Sequence, residues 1–143
     1  MKAISIRQPW AWAIIYAGKT VENRNWATKY RGPILIHAAQ KMLQEEYDTF
    51  CNYYRATILA KWPDRPEPPA FAALLRGGVI GKARINGCVH ERDSRFLCTD
   101  DKPWFFGPNG IILNSVAPLP FVRCRGALGL FEIPDALIVA ESV

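Results

Sequence analysis

Histidine and closely spaced cysteines are scarce in this 143-residue chain, which has two histidines and four cysteines. The cysteines, at positions 51, 88, 98 and 124, form no Cys-x-x-Cys pair. A structural zinc site needs two close pairs of ligands, and only Cys88 and His90 stand near each other. We therefore expect no metal and no cofactor, and reduced cysteines that pack as small hydrophobic residues.

Long apolar runs are also lacking. None approaches the roughly 20 residues that span a bilayer, and the first residues contain no signal-peptide core. We expect a cytoplasmic protein without a membrane partner, of unassigned oligomeric state. Half of the residues are hydrophobic and 22% are charged, which excludes a disordered chain. The length suits one domain, to which we assign residues 1–143.

Standard catalytic signatures are absent as well: there is no Walker loop, no Gly-x-Ser-x-Gly and no His-Glu-x-x-His.

Hydrophobic periodicity predicts helices at 9–17 and 41–60. It predicts strands of one curved sheet at 2–6, 20–25, 34–39, 79–90, 110–117 and 127–133. Strands and helices do not alternate regularly, which makes a doubly wound parallel sheet a poor fit. We expect an α+β fold, a small mixed β-barrel with flanking helices.

Positive charge is concentrated near the start of the chain. Residues 1–40 hold six basic residues and one acidic residue, so this segment carries an excess equal to the net charge of +5. A local basic excess is typical of proteins that bind polyanions, nucleic acid above all, although ordinary surfaces are also unevenly charged. Near the other end, Arg123 and Arg125 are expected to face solvent or phosphate.

Polar residues cluster on both sides of the first predicted helix, which returns the chain beside its own start. Because strand side chains alternate, Glu22 and Arg24 should share one face of the sheet. We expect five residues to converge on one cleft: Gln8, Lys19, Glu22, Arg24 and Trp26. The alternative is that Glu22 forms a surface ion pair with Lys19 or Arg24, of little energetic value.

Aromatic residues and one histidine complete the candidates. Trp10 and Trp12 are expected in the core, whereas Trp26 is a candidate for stacking on a base. The aromatic run 104–106 either forms the far wall of the cleft or plugs the end of the barrel. His37 either faces the cleft or is a hydrogen-bonded core residue.

Several of these segments resemble the ASCH domain, the family named for homology to activating signal cointegrator 1. The hallmark residues correspond to Gly18, Lys19, Glu22 and Arg24. Further similarity lies in residues 5–11, 30–32 and 36–39, and more weakly in 78–83 and 126–131. The resemblance covers nearly the whole chain. It implies a PUA-like β-barrel with helices at its side and a cleft lined by the Lys-x-x-Glu-x-Arg strand.

Charge, cluster and resemblance together favour a domain that binds RNA, single-stranded nucleic acid or a modified nucleotide. The ligand-binding candidates are Gln8, Lys19, Glu22, Arg24, Trp26 and His37. One alternative is an enzyme acting on RNA or a nucleoside, a nuclease or an N4-acylcytidine amidohydrolase, with Lys19 and Glu22 as catalytic groups. In the amidohydrolase branch of the family a threonine stands where this chain has Glu22. A further alternative is a protein-interaction domain with a vestigial cleft.

Overall fold

The computed structural model describes residues 1–142 and contains one six-stranded sheet with helices packed against it. The strands are β1 Lys2–Ile6, β2 Val21–Arg24, β3 Gly32–Ala38, β4 Gly78–His90, β5 Asn109–Arg123 and β6 Leu130–Glu132. The α-helices are α1 Trp10–Tyr16, α2 Gln44–Tyr53, α3 Leu59–Lys61 and α4 Asp135–Ser142. A π-helical segment, Tyr54–Ile58, joins α2 to α3, and 3-10 helices occupy Phe71–Ala73, Glu91–Phe96 and Lys102–Trp104.

The sheet is mixed and curls into a half-barrel. Its strand order is β2-β5-β4-β3-β1-β6, in which β1 and β3 are parallel and every other neighbouring pair is antiparallel. The expected α+β class, a mixed barrel-like sheet with flanking helices in one domain, is confirmed. Within residues 1–142, no helix is both long and apolar enough to cross a membrane.

Helix α1 positions the site because it is buried from two sides. Ala11 and Ile14 pack on the sheet, while Trp12 and Ala13 pack against the side chains of α2 and the π-helical segment. The expected helix at 9–17 is therefore present between the two layers. The strand that follows α1 is β2, which pairs with β5 from its first residue.

The long helix begins later than the pattern predicted. The prediction placed its start at 41, but Leu43 is extended, with φ −92° and ψ 146°, and α2 begins at Gln44. The apolar positions Phe50, Tyr54 and Ile58 are buried as expected. Hydrophobic spacing locates the buried face of a helix well, whereas its first turn depends on local backbone geometry.

Strand β5 is six residues longer at its end than the predicted strand at 110–117. The predicted strand ended just before Pro118 and Pro120, and proline cannot donate a ladder hydrogen bond. In this stretch β5 pairs only with β4, since its pairing with β2 covers Asn109–Ile112. The prolines are therefore tolerated where one edge of the strand has no neighbour in the sheet.

The last predicted strand, at 127–133, is wrong at its start, because β6 begins only at Leu130. Residues 124–129 form a connecting loop instead, with Leu128 99% exposed at its tip. The chain then forms α4, a helix that the sequence pattern had left unassigned. The loop at 124–129 borders two cavities.

Candidate functional site

A buried ion triad lies where β2 begins. Lys19 Nζ donates to Glu22 Oε1 at 2.7 Å, and Arg24 Nε donates to Glu22 Oε2 at 3.0 Å. The side chains of Lys19 and Glu22 are only 1% and 10% exposed, and that of Arg24 is 22% exposed. Arg24 Nη2 also donates to the carbonyl oxygen of Ser5 at 2.7 Å, which ties the triad to β1.

The turn after α1 explains why a lysine is buried here. Gly18 has φ +75°, the left-handed conformation that commonly ends a helix, and the Lys19 amide donates to the carbonyl oxygen of Ala13 at 3.0 Å. This turn directs the chain straight into β2, where alternation places Glu22 and Arg24 on one face as predicted. The surface ion pair considered from the sequence is therefore wrong, because the triad is largely buried.

Burial also sets the electrostatics of the triad. Desolvation lowers the pKa of Lys19, and the neighbouring Glu22 carboxylate opposes that change. Lys19 Nζ also lies 5.5 Å from the centre of the Trp10 ring, within the range of a cation–π contact. The ammonium group is thus enclosed by one carboxylate and one aromatic ring.

Above the triad opens a cavity of about 580 Å³, which we call the triad cavity. Its lining residues are Ser5, Ile6, Arg7, Trp10, Lys19, Glu22, Asn23, Arg24, Asn25, Ala39, Phe106, Ala127 and Leu128. The volume is in the usual range for small-ligand sites. Polar groups of the triad and a wall of apolar side chains therefore meet in one open space.

The aromatic wall consists of Trp10 and Phe106, whose ring centres are 5.8 Å apart in an edge-on arrangement. Asn23 holds this wall in place: its Oδ1 accepts from the amides of Phe106 at 2.7 Å and Gly107 at 3.1 Å. Phe106 gives the aromatic run the first of the two roles left open by the sequence, that of a cleft wall. Trp104 is fully buried in the core, whereas Phe106 is 52% exposed and lines the cavity.

Two residues that were predicted to converge on the cleft, Gln8 and Trp26, do not line the triad cavity. Gln8 is buried, and both ends of its amide form hydrogen bonds: Nε2 donates to the Leu75 carbonyl oxygen at 2.9 Å, and Oε1 accepts from the Trp12 amide at 2.8 Å. Trp26 is half-buried and packs beside Arg24, whose guanidinium carbon is 5.9 Å from its ring centre. The expected convergence of five residues therefore brings together only Lys19, Glu22 and Arg24.

His37 is fully buried, but not in the triad cavity. Its ring lies 2.8 Å from the Cys124 carbonyl oxygen through Nε2 and 2.9 Å from Ser5 Oγ through Nδ1. Because a carbonyl oxygen can only accept, Nε2 carries the proton, and in the neutral ring Nδ1 accepts from the serine hydroxyl. His37 thus links β1 to the loop at 124–129 and borders a second cavity.

Several residues of the cavity were missed by sequence reasoning. Trp10 was expected in the core but is half-buried and lines the cavity, and neither Arg7 nor Leu128 was a candidate. The helix pattern cannot show which side of a mostly apolar helix meets an opening. Among residues 1–142, no group of three or more His, Cys, Asp or Glu residues could hold a metal ion.

A curled mixed sheet with helices on its flank is a PUA-like fold, a class that in general binds RNA. This chain belongs to the ASCH domain family, whose model matches residues 4–107. Comparison with curated protein sequences gives no significant match.

Solved structures agree with this assignment. The crystal structure of ASCH from Zymomonas mobilis is similar with a TM-score of 0.51 and 16% identity, over 95% of this chain and 89% of that one. Two single-residue variants of the same protein each give a TM-score of 0.52 at 16% identity. They cover 97% of this chain and 92% and 94% of theirs. At this level of identity the similarity concerns the fold.

Proposed function

We propose that this chain binds single-stranded RNA and takes one unpaired base into the triad cavity. The observation that carries the proposal is the combination, in one opening, of the buried Lys19–Glu22–Arg24 triad and the aromatic wall of Trp10 and Phe106. Membership of the ASCH family, with its generally RNA-binding fold, supports the same class of ligand.

The triad offers both polarities that a base edge requires. Each carboxylate oxygen of Glu22 accepts one hydrogen bond within the triad and retains a further lone pair for an amino or imino group of a base. Arg24 donates through Nε and Nη2, while its Nη1 has no hydrogen-bond partner among the described side chains of residues 1–138. That free donor suits a base carbonyl or a phosphate oxygen.

The aromatic wall explains why the ligand is single-stranded. An unpaired base can leave its own strand and stack on a protein ring, whereas bases in an RNA duplex are hidden in the helix. Phe106 and Trp10 offer such a surface next to the triad. Stacking of this kind contributes about 1–3 kcal/mol for each base, with little dependence on its identity.

The test is titration of the protein into a fluorescently labelled single-stranded RNA and into the same sequence as a duplex. We expect tighter binding of the single strand, and weaker binding by Arg24→Ala and Phe106→Ala. Arg84→Ala is the matched control, because Arg84 is an exposed arginine of β4 that lines neither cavity. The proposal fails if the wild type binds neither RNA, or if both cavity variants bind as well as the control.

A second candidate is catalysis on RNA or on an N4-acylated cytidine, favoured by the lowered pKa of Lys19. A lysine of lowered pKa can supply a neutral amine as a base or nucleophile, with Glu22 moving a proton. Against this, the Lys19 side chain is only 1% exposed and bound to Glu22. The geometry therefore favours Lys19 as the group that holds Glu22 for binding.

Turnover of both substrates by the wild type and by Glu22→Gln separates the two candidates. An enzyme using Glu22 as acid or base should lose turnover by about 10²–10⁴-fold while it still binds its ligand. A binding domain should show no turnover in either form. Circular dichroism and thermal unfolding must first show that the variant is folded at the assay temperature, because the triad is buried.

A further inference from the structure

A second cavity, of about 710 Å³, adjoins the triad cavity and shares Ser5, Arg7 and Ala39 with it. We call it the arginine cavity. Among the described side chains, four cations and no carboxylate line it, and the cations are Arg7, Lys41, Arg123 and Arg125. They come from segments at both ends of the chain, so their convergence is a product of the fold.

Most of these cations lack an anionic partner. Among the side chains that the structure describes, those of residues 1–138, Lys41 and Arg125 have no ion-pair or hydrogen-bond partner, and Arg123 lies 5.9 Å from the ring centre of Phe121. Only Arg7 is paired, through a contact of 2.6 Å to Glu46. An array of unpaired cations in a concave surface attracts a ligand that carries several negative charges.

The loop at 124–129 borders both cavities. Its first half, including Arg125, borders the arginine cavity, and Ala127 and Leu128 border the triad cavity. Gly126 lets the loop lie directly on β1 and β3, because a Cβ there would be 2.8 Å from both His37 Cε1 and Ser5 Oγ. The hydrogen bond from His37 to the Cys124 carbonyl oxygen secures the same loop.

We propose that the arginine cavity binds backbone phosphates of the same RNA strand whose base enters the triad cavity. This inference rests on the proposed function and narrows its ligand: the site takes an oligonucleotide rather than a free nucleoside. A guanidinium group can donate two parallel hydrogen bonds to two oxygens of one phosphate. Arg7 borders both cavities, at the point where the base and the backbone of the RNA would meet. A nucleoside would leave the four cations of the arginine cavity unused.

The test is the salt dependence of binding to a labelled single-stranded RNA octamer. Arg123→Ala and Arg125→Ala should each reduce the slope of log affinity against log salt by about 0.7, the value for one phosphate contact on a single strand. The double variant should weaken binding about tenfold or more at low salt, following the same relation. Arg84→Ala, with the same loss of one exposed arginine outside the cavities, should change neither quantity for the octamer.

Each outcome has a distinct meaning. If Arg24→Ala weakens binding but the Arg123 and Arg125 variants behave like Arg84→Ala, the arginine cavity is not a phosphate site and only this inference is overturned. If the slopes fall in those variants while Arg24→Ala and Phe106→Ala bind normally, the base site in the triad cavity is refuted instead. If the wild type does not bind the octamer, both proposals are overturned.

Affinity for an uncharged nucleoside provides a second measurement. The proposal expects a nucleoside to compete with the octamer far more weakly than a dinucleotide with an internal phosphate does. It also expects the Arg123 and Arg125 variants to bind the nucleoside with the same affinity as the wild type. A nucleoside that competes as well as the dinucleotide would contradict the proposal.

Discussion

Glu22→Gln tests whether the triad is a buried electrostatic unit. The substitution keeps the shape but removes the anion 2.7 Å from a lysine that is 1% exposed. Removal of one partner from a buried ion pair costs about 3–5 kcal/mol of stability. The lysine itself sets a bound, since releasing its proton at pH 7 from an ordinary pKa of 10.5 costs about 5 kcal/mol. Both considerations predict a loss of several kcal/mol from a total of about 5–15 kcal/mol.

The same variant should show a characteristic pH dependence. In the folded wild type the pKa of Lys19 is lowered by burial, and Glu22 opposes that effect. Without Glu22 the pKa of Lys19 in the folded state falls further. The pH range below 10.5 in which the unfolded chain holds one proton more than the folded chain therefore becomes wider. Stability contributed by neutral Lys19 is present above that value and is lost as the pH falls through the folded pKa. The deficit of Glu22→Gln relative to wild type should therefore grow with falling pH, by at most about 1.4 kcal/mol per pH unit.

Urea unfolding followed by tryptophan fluorescence, at several pH values between about 6 and 9, measures both effects. A loss of this size should lower the urea midpoint by about 1–3 M. The matched control is Glu67→Gln, whose exposed pair with Arg55 is worth under about 1 kcal/mol. The double variant Lys19→Met with Glu22→Gln should recover much of the loss, because the fully buried charge of Lys19 is removed and the charge that remains, on Arg24, is 22% exposed. A deficit under about 0.5 kcal/mol that does not change with pH would refute the reasoning.

Three further predictions concern the cavity wall, the loop and the sheet. Phe106→Ala should weaken RNA binding by about 1–3 kcal/mol without changing the salt slope, since stacking releases no counterions; a changed slope in the titration would argue against stacking. Gly126→Ala should displace the loop at 124–129 and weaken octamer binding while urea unfolding stays near wild type, and normal binding would mean that the loop's position is unimportant. Gly81→Ala should destabilise the fold by about 1–3 kcal/mol in urea, because its Cβ would lie 2.7 Å from a β5 carbonyl oxygen. Gly87→Ala on the same strand, whose Cβ meets only a side chain at 3.3 Å, should cost less, and equal losses would contradict the steric argument.

Strand and helix positions were largely predictable because periodicity reports burial directly. Four of the six strands lie within two residues of their expected bounds, both principal helices are present, and Glu22 and Arg24 share a face as alternation requires. The errors fall at the ends of strands and helices, where the presence or absence of a single neighbour in space decides whether the element continues. Pro118 and Pro120 are acceptable in β5 only because β2 ends its pairing earlier, a fact of sheet topology that local sequence does not contain.

The candidate site was predictable only where its members are close in the chain. Lys19, Glu22 and Arg24 lie within six residues, so a turn and one strand suffice to place them together. Gln8 was expected beside them, but its amide is used by the Trp12 amide and the Leu75 carbonyl oxygen. Nothing in the local pattern reveals a hydrogen-bond partner 67 residues away.

The distribution of charge shows most clearly what the sequence determined and what depended on the tertiary structure. By itself the sequence determined the helix–turn–strand unit, because hydrophobic spacing, Gly18 and strand alternation act over short distances. It also placed the basic excess in residues 1–40, while residues 103–143 hold two basic and three acidic residues, and Arg123 and Arg125 were expected there to face solvent or phosphate. Only the tertiary structure brought Arg123 and Arg125 beside Arg7, by pairing β4 with β5 and by laying the following loop on His37. Electrostatic potential depends on distances in space, and those distances are set by sheet order and loop packing.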